Sequence, residues 1–207
     1  GLSPLSSVET NTGAAVWQTS AARWRTPPLS LWFGNPDTGT YENLVQSDGT
    51  QLASVGTYIT EPMTIPEAGG AIRFSAWVDV EAVPDWDLFS VRILTGNAST
   101  EALWSKSQLN PETDYRTWID VEVDLTPYAG STASFAFDVD TIDATVNTGE
   151  GVFIDDVVLA KACDVPPKSC INDADCEDED PCTTTVCDDT GYCDVQPIDG
   201  CCSNASD

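Results

Sequence analysis

The stretch Gly151-Val152-Phe153-Ile154-Asp155-Asp156-Val157-Val158-Leu159 decides the fold. Its β-branched and aromatic residues follow the turn signal Asn147-Thr148-Gly149, so it reads as a strand. Apolar residues fall on both faces, which predicts a central strand buried on both sides. Two adjacent carboxylates interrupt it. Side chains alternate along a strand, so Asp155 and Asp156 point to opposite faces unless the strand bulges. A carboxylate turned inward needs a partner to stay ionised. The chain has no His and eight Lys and Arg, so the available partners are backbone amides, an Arg or a bound cation. Ca2+ is the cation that an oxygen-rich chain can ligate, and it is the expected cofactor.

Outward from this strand the pattern is uniformly β. Ile72, Phe74, Ala76, Val78 and Val80 share one face, while Arg73, Ser75, Trp77, Asp79 and Glu81 share the other. Phe89, Val91 and Ile93 alternate in the same way. So do Ile119, Val121, Val123 and Leu125, and then Ala133, Phe135, Phe137 and Val139. Val16–Thr19, 23–25 and 29–33 read as further strands, and 51–59 leads toward the next. No stretch sustains helical periodicity. Short strands separated by Gly and Pro turns predict an all-β jelly-roll sandwich of two antiparallel sheets, each of about four or five strands. The expected domains are an N-terminal extended arm (1–13), the sandwich (14–162) and a small cysteine-rich acidic appendage (163–207).

All eight cysteines lie in the appendage: Cys163, Cys170, Cys176, Cys182, Cys187, Cys193, Cys201 and Cys202. With no Cys-x-x-Cys and no His, a zinc site is not expected, whereas disulfides are. Eight cysteines allow 105 pairings, and spacing does not choose among them. Dense disulfides imply an oxidising, extracellular setting. Gly1-Leu2-Ser3-Pro4 lacks the charged and apolar regions of a signal peptide, so a secreted chain would already have lost its signal. The appendage carries ten Asp, two Glu and one Lys. Asp173, Asp175, Asp178 and Asp180, pinned by short loops, are candidate calcium ligands. The segment is no EF-hand, because Asp178 stands where that loop needs Gly. Asn35, Asp37 and Asp87 offer further oxygens beside the Asp155-Asp156 pair. The plain alternative is a solvated acidic surface.

A net charge of −26 argues against nucleic acid and anionic membrane as partners. No apolar run is long enough to span a bilayer, so membrane insertion is not expected. Zero His removes Ser-His-Asp and Cys-His catalysis. A carboxylate pair among 34 acidic residues is no signal by itself, so the chain is read as a non-enzyme. Seven Trp are many for this length. Trp77, Trp86, Trp104 and Trp118 are candidates for exposure. Trp77 and Trp118 lie on the polar faces of their strands and could stack on sugar rings. Asn97-Ala98-Ser99 and Asn204-Ala205-Ser206 fit the glycosylation pattern.

The ordered set Trp32-Phe33-Gly34-Asn35, Thr38-Gly39-Thr40-Tyr41, Asp87-Leu88-Phe89-Ser90-Val91, Val123–Gly130 and Gly151–Val157 resembles the MAM-like, concanavalin-type jelly rolls of secreted bacterial proteins. The resemblance covers about residues 15–162. The tail, 163–202, resembles small cysteine-rich repeats of secreted myxobacterial proteins. Both imply a bacterial extracellular or cell-surface role without a reaction, and related jelly rolls often hold a structural cation. The expected function is a calcium-stabilised structural or adhesion module that self-associates or meets another surface protein. Its specific form is a filament subunit whose arm adds to a neighbour's sheet. The alternative is a carbohydrate-binding module that takes polysaccharide beside a secreted hydrolase.

Overall fold

A computed structural model of the protein describes residues 5–42, 48, 52–83, 85–96, 99–161, 170–176, 183–187 and 193–197. It contains two compact units. The first draws on residues 1–63, 73–123 and 132–158, the second on 64–72, 124–131 and 159–207.

The expected sandwich is built mostly from residues of the first unit. Its strands are β1 (Leu5–Thr12), β2 (Val16–Ser20), β3 (Ser30–Gly34), β4 (Val55–Thr60), β5 (Met63–Thr64), β6 (Gly70–Asp79), β7 (Leu88–Thr95), β8 (Ser99–Ser105), β9 (Trp118–Asp124), β10 (Thr132–Asp140) and β11 (Gly151–Lys161). One sheet runs β1-β4-β10-β7-β8, with β5 as a short sixth strand; the other runs β2-β3-β11-β6-β9. The strand that opened the sequence reading is therefore the middle of five. The alternating residues meet between the sheets: Phe74, Ala76 and Val78 from β6, Phe89 and Val91 from β7, Phe137 and Val139 from β10, and Val152 and Ile154 from β11. Phe74 lies edge-on to Phe137 at 5.4 Å and to Trp104 at 5.7 Å.

Three expectations change. Residues 23–25 are not a strand; they belong to the loop that joins β2 to β3. Trp104 is 7% exposed, because β8 turns it into the core against Phe74 and Phe89. The N-terminal arm is a strand of its own sheet, with β1 pairing antiparallel with β4 from Leu5↔Thr60 to Thr12↔Val55. The arm thus pairs within its own chain, and β1 and β8 are the edge strands of this sheet.

Asp156 resolves the doublet. Its φ is +51, a left-handed kink inside β11. Val152 and Ile154 face the core and Phe153 and Asp155 the other side. Strict alternation would send Asp156 inward, but after the kink Val157 is the residue packed against the core.

In the second unit Ile65 and Leu125 are fully buried. Just before the turn Thr126–Tyr128, Asp124 accepts from the Thr126 amide at 2.8 Å. In the tail, β12 (Thr183–Cys187) and β13 (Cys193–Pro197) form an antiparallel hairpin. Disulfides Cys170–Cys187 and Cys176–Cys193 tie it to the turn Asp173–Cys176. Cys163, Cys182, Cys201, Cys202, Asn97 and Asn204 lie outside the described residues.

Candidate ligand-binding face

The sheet β2-β3-β11-β6-β9 turns a second set of side chains away from the core. On neighbouring strands Trp32 and Phe153 are register partners, stacked at 5.6 Å with an interplanar angle of 14°. Trp77 of β6 meets Trp118 of β9 at 6.2 Å. Both Trp77 and Trp118 are half-buried. The Arg23 guanidinium lies 3.6 Å above the centre of the Trp77 ring, a cation–π contact. The Trp77 indole N–H is buried with no acceptor among the described residues.

Around these rings runs a set of arginine–carboxylate pairs. Arg23 grips Glu150 through Nε and Nη2, the shortest contact being 2.6 Å. Arg116 Nε donates to Asp79 at 2.7 Å, and the other Asp79 oxygen accepts from the Glu150 amide at 2.9 Å. Arg73 Nε donates to Glu122 at 2.6 Å. Arg25 reaches Asp120 at 3.2 Å, and Ser75 donates to the same carboxylate at 2.7 Å. Four of the five arginines in the chain thus lie on one face, each matched by a carboxylate; the fifth, Arg92, pairs with Asp138 on the other sheet. Arg116 and Asp120 are the most open of these side chains, at 75% and 69% exposure.

Asp155 fixes the loop that carries Arg23 and Arg25. It is fully buried, and its Oδ2 accepts from the backbone amides of Arg25 at 2.8 Å and Thr26 at 3.0 Å. Its Oδ1 accepts from the Asp156 amide at 2.8 Å. Asp156 accepts from the Thr26 hydroxyl at 2.8 Å. Of the partners the sequence left open, amides supply the interior carboxylate's hydrogen bonds.

The chain matches no protein-family model. Over 108 residues it is 34% identical to the pre-pro-metalloprotease PrtV of two Vibrio cholerae serotype O1 strains. That alignment takes in 49% of this chain and 11% of the relative, so the chain spans a small part of the length of the curated proteins it matches. Among solved structures it is similar to a carbohydrate-binding module of the β-sandwich superfamily, with a TM-score of 0.47 and 12% identity over 73% of this chain and 56% of that one. It is also similar to a cleaved adhesin domain of Lys-gingipain from Porphyromonas gingivalis, with a TM-score of 0.41 and 14% identity over 75% of this chain and all (100%) of that one.

The other expected ligands are dispersed. Asn35 is 5% exposed; its Oδ1 accepts from the Asp37 amide at 3.0 Å and its Nδ2 donates to the Glu42 carbonyl at 3.4 Å, so it shapes its own turn. Asp87, 1% exposed, accepts from the Tyr41 hydroxyl at 2.6 Å and the Glu81 amide at 3.0 Å. Burial pushes its carboxyl up, opposed by those two bonds and by the Lys106 charge. Burial likewise pushes the Tyr41 hydroxyl well above its ordinary range. In the second unit Asp173 accepts from the Cys187 amide at 2.9 Å, and Asp175 from the amides of Ile171 and Asn172 at 2.9 and 3.1 Å. The sulfurs of Cys170, Cys176 and Cys193 lie within 4.8 Å of one another, but each is in a disulfide and is no thiolate ligand. Asp178 and Asp180 lie outside the described residues. Three amides thus occupy three of the roughly four acceptor positions of the Asp155 carboxylate.

Sequence reasoning placed Trp77, Trp118 and Arg73 on the polar faces of their strands and missed Arg23, Arg25 and Arg116. The available signal was scarcity: with eight basic residues in the chain, each position carries information.

Proposed function

We propose that the chain is a non-catalytic, extracellular glycan-binding module of a larger bacterial protein, and that the outer face of the five-stranded sheet binds a neutral polysaccharide. One observation carries this reading: four arginines, four carboxylates and the Trp77–Trp118 pair share one face of a chain whose net charge is −26. By count the four pairs cancel, so the face is far less acidic than the chain as a whole, although the carboxylates of Asp155 and Asp156 stand beside the pairs. Guanidinium groups donate to hydroxyl oxygens, and carboxylates accept hydroxyl protons. An indole face packs on the C–H side of a sugar ring. An anionic polymer would have to break these pairs and approach a strongly acidic body.

The test is retention on cellulose, xylan, mannan and chitin beside alginate and pectate, with Trp118→Ala and Arg116→Ala. The expected result is retention on a neutral polymer that changes little with salt and falls about tenfold or more in Trp118→Ala, the loss of a ring stack. Retention on none of the neutral polymers would sink the reading. A second reading, adhesion to another surface protein, is favoured by the exposed apolar residues Val83, Trp86, Leu88 and Val146 (45%, 42%, 43% and 61%). It predicts binding that survives Trp118→Ala and is lost in Trp86→Ala.

A further inference from the structure

Lys106 is 3% exposed, although lysine is seldom buried without a partner. It follows β8, in the turn Lys106–Gln108, and points into the loop between β6 and β7. Its Nζ donates to the carbonyl oxygens of Glu81 at 2.7 Å, Val83 at 2.9 Å and Trp86 at 2.7 Å. The Tyr115 hydroxyl stands at 3.5 Å. An ammonium has three N–H donors, and three carbonyls take them. The next residue, Asp87, supplies the buried negative charge that an interior cation needs. Tyr41 and the Glu81 amide hold that carboxylate in place. Asp87 has φ +55, the left-handed turn at the end of the loop.

Convergent backbone oxygens backed by a carboxylate are the donor set that binds hard cations. We propose that the carbonyls of Glu81, Val83 and Trp86, with the Asp87 carboxylate beside them, form a cation site whose resident ion is the Lys106 ammonium, a tethered substitute for a metal ion. With the carbonyls aimed inward, the side chains of Val83 and Trp86 stay on the surface. On this proposal the three carbonyls need no free cation to hold them together. This inference does not rest on the glycan reading, because Lys106 touches none of the face residues named above.

The experiment uses the full chain in EDTA, with hydrogen exchange read on the 81–88 peptide. Lys106→Ala empties the ammonium position, and exchange should rise at least tenfold. n-Propylammonium, the piece removed, should restore protection; tetramethylammonium, which has no N–H, should not. Ca2+ should restore part of it, because the oxygens remain. Lys106→Met fills the space without charge and should lose protection beyond rescue. The wild type should respond to none of these ions. If Lys106→Ala fails to fold, the wild type still decides the matter: its NMR spectrum should show a slowly exchanging lysine NH3+ signal that is missing in Lys106→Met. Wild-type protection in Lys106→Met, equal rescue by the two ammonium ions, or the lack of that signal would each overturn the proposal.

Discussion

Replacing Asp155 by Asn tests what holds the interior carboxylate. In the native sandwich it receives three amide hydrogen bonds, at 2.8, 3.0 and 2.8 Å, in a fully buried site. An Asn oxygen at the Oδ2 position keeps the Arg25 and Thr26 amides but loses the charge that strengthens both bonds. Its NH2 group then faces the Asp156 N–H, donor against donor. Hydrogen bonds to a charged group contribute about 1.5–3 kcal/mol each, so one lost and two weakened come to about 3 kcal/mol. Asp155→Ala leaves all three donors without their acceptor and costs about 5 kcal/mol. At this chain length each kcal/mol lowers the melting temperature by about 2–4 °C, so the Asn variant should melt about 6–12 °C lower. Urea denaturation with and without EDTA is the assay. The wild-type curve should not move with EDTA, and the Asn variant should shift its midpoint at constant slope. A difference below about 0.5 kcal/mol, the range of ordinary surface changes, would refute the reasoning. A wild-type midpoint that drops in EDTA would show that a bound metal contributes to stability. The same variant loosens the loop bearing Arg23 and Arg25, so glycan retention should weaken alongside stability.

Gly151 has φ +90, and a Cβ there would collide with the Phe33 carbonyl on the paired strand. Gly151→Ala should therefore destabilise by about 3 kcal/mol in urea melts, and a neutral result would contradict the close approach. Alkaline pH should unfold the sandwich steeply. Burial holds Tyr41 above its ordinary range and pushes Tyr58 and Tyr115 up to about 12. Between pH 10 and 12 the unfolded chain loses tyrosine protons that the fold retains, so stability falls with pH by about 1.4 kcal/mol per unit for each fully buried tyrosine. Lys106, drawn down by burial, acts with the opposite sign. Tyr58→Phe should make the fall shallower, and unchanged steepness would count against this account. Reduction should release the tail alone: each closed loop, with a separation of 17 residues, contributes about 3 kcal/mol in the chain-entropy model. Exchange at 183–197 should rise on adding reductant while the sandwich, which has no cysteine, keeps its melting point.

The sequence by itself determined the strands and their faces. Ile72 to Glu81 alternates because one side of a strand meets the core and the other does not, and period two is written in side chains. It also determined that Asp155 sits in an apolar strand and needs a partner, that the cysteines staple a tail with little core, and that no histidine chemistry is available. Only the tertiary structure decided who the partners are. The amides that hold Asp155 come from Arg25 and Thr26, 130 and 129 positions away. The carbonyls that cage Lys106 come from the turn before β7, and the edge that β1 seeks belongs to its own β4. In each case the deciding group is backbone. Nearly every residue carries the same N–H and C=O, so composition cannot reveal which of them the fold brings together.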